Sequence, residues 1–149
     1  MALPLRKTFM VLTVAVGMAG TGSAWADDLP DEVINAGKSD YMTYCAVCHG
    51  VSGVGDGPVA RDLIGTPSDL TKLASNNGGT FPEDLAQQVI DGRKELMGHG
   101  TRDMPIWGNW FKFVARAQDT ENADEVTSEI IVSLRIQTLI EYLKTIQVK

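Results

Sequence analysis

The stretch that most limits what this chain can become is Cys45-Ala46-Val47-Cys48-His49. C-x-x-C-H is the attachment pattern of a c-type haem. Two residues between the thiols match the spacing of two vinyl groups across one tight backbone turn. The histidine that follows then falls under the metal rather than beside the ring. Other uses of the spacing fit less well. A redox dithiol needs no adjacent histidine. A four-ligand zinc site needs more donors than these two cysteines, His49 and the one other histidine, His99.

The first 26 residues read as a secretory leader. Arg6 and Lys7 precede an apolar run from Phe9 to Gly20, and Ala24-Trp25-Ala26 is a small-x-small cleavage site. The run is short for a membrane span. The expected mature chain is 27–149, one domain, exported to the periplasm with no transmembrane segment. Two thiols so close together in an oxidising compartment would make a strained disulfide. Thioether bonds to haem use both without strain.

Charge narrows the partners. Arg6 and Lys7 are the only charged residues before Asp27, so cleavage leaves 11 basic against 19 acidic residues, a net of −8. That balance argues against nucleic acid and an anionic membrane as partners. It favours a basic docking face or an apolar contact.

The pattern along the chain is helical. Val33, Gly37, Tyr41 and Tyr44 mark one face of a helix over 31–44. Gly37 within that face predicts close approach by another helix backbone. Gly50 to Pro58 holds four glycines in nine residues and must be a loop. One or two helical turns are expected over 59–64, a turn over 66–71, and a short helix to about Ala74. Thr80 and Glu83 fit a capping box for a helix ending near Asp91, with Gly92 after it. Arg93 to Gly108 reads as irregular. The acidic run within 112–129 reads as a solvated loop, with an acidic docking patch as the alternative. The last helix is the clearest, with Val132, Ile136, Leu139, Ile140, Leu143 and Ile146 on one stripe. The fold class is all-α with long loops, and loops of that length imply that something besides the chain fills the interior.

With these residues in place, the chain resembles the small monohaem periplasmic members of the class I c-type cytochromes. The likeness rests on Gly37 and Tyr41, on Cys45 to His49, and on Gly55-Asp56-Gly57-Pro58. It continues through Pro67 and Leu70, Met104-Pro105-Ile106-Trp107-Gly108, and Leu139 with Tyr142. It implies a few helices and long loops wrapped around one haem c held by Cys45 and Cys48. It implies His49 and Met104 as the iron ligands, and a first and last helix crossing at Gly37. It further implies a proline carbonyl, Pro67 rather than Pro58, on the free His49 nitrogen, and Arg93, Trp107 and Trp110 near the propionates. Met97 and His99 are the alternatives to Met104, with His99 expected to be a bystander.

The resemblance implies one-electron transfer rather than enzyme activity. The expected partners are periplasmic redox proteins: a dehydrogenase as donor, and a terminal oxidase or another cytochrome as acceptor. The alternative is a haem-bearing subunit of a periplasmic dehydrogenase, for instance one oxidising sulfite or alcohols. A haem sensor with a displaceable ligand ranks third.

Overall fold

The computed structural model describes residues 29–92, 104–118 and 124–148. The leader, Arg93, Met97 and His99 lie outside the described residues.

Helix α1 (Asp31–Asp40) starts after Pro30 without a side-chain cap, and its first turn carries Asp31 and Glu32. Carboxylates there offset the positive end of the helix dipole. The chain does not stop at Asp40. It passes through a π-helical turn (Tyr41–Cys45), closed by the Ala46 N–H on the Tyr41 carbonyl, into α2 (Ala46–His49). The helical run therefore continues past Tyr44, where the sequence pattern ended it, and carries the whole C-x-x-C-H motif.

The loop after it folds back on that motif. Backbone bonds join Gly55 N–H to the His49 carbonyl at 2.8 Å, Gly57 N–H to Cys48 at 3.0 Å and Val59 N–H to Val47 at 3.1 Å. A Cβ on Gly57 would run into the backbone of Cys48 and Val47, so only glycine lets the loop lie this close. Two short 3₁₀ turns (Ala60–Asp62 and Leu70–Lys72) and α3 (Leu73–Asn76) follow, close to the expected pattern.

Helix α4 (Glu83–Asp91) ends at Gly92 in the left-handed conformation. The expected capping box is not formed. Pro82 occupies the cap position with no side-chain bond. Glu83 instead reaches Lys144 at 2.9 Å and Gln137 at 3.0 Å, both on the last helix.

Helix α5 (Trp107–Gln118) replaces the first part of the expected acidic loop. Gly108, Phe111 and Ala115 bury one of its faces. Lys112 and Arg116 on another face meet Glu125 and Glu129 of the next helix. Two carboxylates of the run that looks solvated, Glu125 and Glu129, are thus ion-pair partners of α5. Helix α6 (Glu125–Thr145) begins at Asp124, whose carboxylate accepts the Thr127 N–H at 2.7 Å.

Helices α1, α4, α5 and α6 enclose the core. Tyr41, Phe111, Ile136, Leu139 and Ile140 are each at most 1% exposed. Burying such a side chain contributes about 1.5–3 kcal/mol. All five belong to one cluster of buried side chains. The α1–α6 crossing is as expected: Gly37 sits against the carbonyl of Thr138. Tyr142, expected on the flank of the α6 stripe, is buried against Tyr41, with ring centroids 5.2 Å apart. Among the described residues there is no strand, and no helix is long and apolar enough to cross a membrane.

Candidate functional site

Cys45, Cys48 and His49 lie on one stretch of helix, where the π turn passes into α2. Both cysteines are free thiols. Cys45 is buried, and burial, then the charges of Asp40 and Cys48, push its pKa up to about 12. Cys48 is half-buried and its thiol is also pushed up by burial. Both therefore keep their protons at neutral pH.

The His49 Nδ1 atom stands 2.9 Å from the carbonyl oxygen of Ser68. A carbonyl only accepts, so Nδ1 carries the proton and Nε2 is left with its lone pair. Burial lowers the imidazole pKa, against the opposite pull of the Ser68 bond. The side chain is thus a neutral imidazole of fixed tautomer, as a metal ligand requires.

The carbonyl on His49 belongs to Ser68 and not to Pro67, a shift of one residue from expectation. The Pro67 carbonyl is turned onto Gly55. The segment that follows Ser68 is held by hydrogen bonds. Asp69 accepts the Thr71 N–H at 3.0 Å, and Leu70 N–H donates to the Gly53 carbonyl at 2.7 Å. The end of the chain pins the same segment, with Gln147 Nε2 donating to the Leu70 carbonyl at 2.7 Å and Val148 N–H to Thr71 at 2.9 Å. Tyr41 closes the other side by donating its hydroxyl to the Gly50 carbonyl at 2.6 Å.

Met104 is partly buried and packs against the same core cluster that includes Cys45. It immediately precedes Pro105 and lies just ahead of α5. Trp107, expected near a propionate, packs its indole against Tyr44 at 5.5 Å and Phe111 at 6.1 Å. Trp110, expected in the same place, is about half exposed beside Phe113. A cleft of about 250 Å³ lies among α4, α5 and α6, lined by Asp91, Ile106, Asn109, Lys112 and Glu129, apart from the cysteines.

Sequence reading missed one arrangement beside the motif. Asp40 and Arg135 form a two-pronged ion pair at 2.6 and 2.7 Å. The guanidinium lies 4.5 Å from the Phe111 ring centroid and 5.3 Å from that of Tyr44. Alone, each residue looks like a surface charge. The only local signal was that Asp40 flanks the helix face bearing Gly37, Tyr41 and Tyr44.

Cys45, Cys48 and His49 have the donor types and spacing that attachment of a c-type haem needs. Two free thiols stand three residues apart on one helical stretch, and an imidazole with Nε2 available follows at once. Among the described residues no three His, Cys, Asp or Glu side chains converge to hold a metal ion by themselves. Comparison with family models, curated proteins and solved structures finds no match to this chain.

Proposed function

We propose that this chain is an exported c-type cytochrome that carries single electrons in the periplasm. Cys45 and Cys48 would hold the haem, and His49 Nε2 and Met104 would ligate its iron. The observation that carries the reading is the His49–Ser68 bond placed immediately after two free thiols. When bound, haem c supplies an iron centre that cycles between two oxidation states, with a thioether ligand favouring the reduced one.

The chain's own residues do the rest. Ser68 keeps the proton on Nδ1 and makes the imidazole a stronger donor. Partial burial of His49 keeps it neutral at working pH. Gly57 and the backbone bonds around it hold the motif so that neither cysteine swings away. With His49 and Met104 both bound, the iron would have no open position for oxygen or peroxide, which favours transfer over catalysis. The acidic surface suits a donor or acceptor with a basic docking face.

Purification from periplasm tests this. The expected product is a coloured protein with haem bound covalently, and slow binding of carbon monoxide at neutral pH. Rapid carbon monoxide binding would favour a sensor.

A second reading, a haem-bearing subunit of a periplasmic dehydrogenase, is favoured by one observation. Val126, Ile130 and Leu134 form an exposed stripe on α6, and Trp110 and Phe113 are exposed on α5. Exposed apolar surface of this kind marks interaction faces. Purification as a stable hetero-complex rather than a free monomer supports this reading over the first.

A further inference from the structure

The helix that carries the candidate haem cysteines changes its winding just before them. The π turn Tyr41–Cys45 adds slack to the helix, and Tyr41, Cys45 and Ala46 are all buried. Such turns are rare, and they are found frequently at functional sites. This one is clamped at its start. Asp40, the residue before it, is gripped by Arg135 of α6 through Nε on Oδ2 at 2.6 Å and Nη2 on Oδ1 at 2.7 Å. The two side chains are only 15% and 24% exposed. The guanidinium packs over Phe111 and Tyr44, and its Nη2 also donates to the Tyr44 hydroxyl at 3.4 Å. Tyr41, the first residue of the turn, is tied by its hydroxyl to Gly50, the residue after His49.

A largely buried ion pair adds little net stability over well-packed apolar residues. Its best-attested use is to fix register. A two-pronged fork suits that use, because it specifies direction as well as distance. Here the register in question is that of the turn leading to Cys45.

We propose that Asp40 and Arg135 are positioning residues for Cys45. By fixing the start of the π turn on α6, they set where the Cys45 thiol lies relative to Cys48 and His49, and so allow its thioether bond to form. The proposal rests on the haem reading above. In that step the Cys45 S–H adds across a vinyl C=C. A C–S bond and a C–H bond form, the S–H bond and the vinyl π bond are lost, and no oxidant or reductant is consumed.

The test expresses the full chain together with a bacterial haem-attachment apparatus. The number and position of thioethers are read by peptide mass spectrometry after alkylation, and by the absorption maximum of the pyridine complex. The unaltered chain carries both bonds. In Arg135→Leu and in Asp40→Asn, the share of chains bonded at Cys48 with an alkylated Cys45 rises roughly tenfold, as expected for loss of a charge-assisted hydrogen-bonded pair. Arg135→Lys keeps the charge without the fork and falls between. Val132→Ala weakens the core of α6 elsewhere and retains both bonds. Two bonds in Arg135→Leu, or equal release of Cys45 in Val132→Ala, overturns the proposal. An unaltered chain without haem overturns the functional reading itself. With that chain loaded, only the positioning role is at stake.

Discussion

The carbonyl oxygen of Thr138 on α6 lies directly against the Cα of Gly37 on α1, so close that a Cβ built there would overlap it. The two backbones touch because residue 37 has no side chain. Ala is the better helix former by about 0.5–1 kcal/mol, so local propensity alone would make Gly37→Ala stabilising. The crossing reverses that sign, since overpacking against backbone costs about 1–3 kcal/mol. Urea unfolding of Gly37→Ala is expected to show a lower midpoint at unchanged slope. A midpoint equal to or above that of the unaltered chain would mean that the helices do not meet here.

Asp124 caps α6 by accepting the Thr127 N–H at 2.7 Å, and this bond holds its carboxyl below the usual carboxylate range. Asp124→Ala is expected to lower the urea unfolding midpoint. Asp124→Asn keeps an acceptor and is expected to lower it less. Equal shifts in the two variants would assign the effect to charge rather than to the cap.

Glu83 joins α4 to α6. Hydrogen bonds from Lys144 first, then Gln137, hold its carboxyl below the ordinary value of 4.5. A depressed folded pKa means stability that is fully present above the unfolded value near 4.5 and is lost as pH falls through the folded one. The pair is substantially exposed, so its share is under about 1 kcal/mol. Thermal unfolding below pH 4.5 should therefore fall less steeply in Glu83→Gln than in the unaltered chain. Identical acid limbs would place the loss elsewhere.

In the proposed function Met104 is the second protein ligand to the iron. Met104→Ala is expected to open the iron, lower the reduction potential and abolish the charge-transfer band of methionine-ligated ferric haem. Met97→Ala is expected to leave that band nearly unchanged. Persistence of the band in Met104→Ala would refute the assignment.

What could be read from the sequence was what is local in it. The α6 stripe from Val132 to Leu143 and the stop at Gly92 follow from periodicity and chain conformation, and both are present. The C-x-x-C-H motif stands out because its donors sit in five consecutive residues, which the structure carries on one helical run. Helix α5 was hidden because its charges, Lys112 and Arg116, are answered by Glu125 and Glu129 on another helix. Thr80 and Glu83 have the spacing of a capping box, but Glu83 is drawn to Lys144, a partner no local window contains. Ser68 acts through its backbone carbonyl, which leaves no mark in side-chain patterns, and so the neighbouring proline looked the better choice. Asp40 and Arg135 are 95 residues apart, and only the α1–α6 crossing brings them together.

The central claim is that Cys45 and Cys48 are spent on a covalently bound haem whose iron is ligated by His49. Purifying the native periplasmic protein and measuring its visible spectrum together with its free thiol content tests this most directly. The account predicts a red protein with a reduced low-spin haem spectrum, no titratable thiol, and colour that stays with the chain through acid–acetone extraction. Colourless material with two reactive thiols would contradict it.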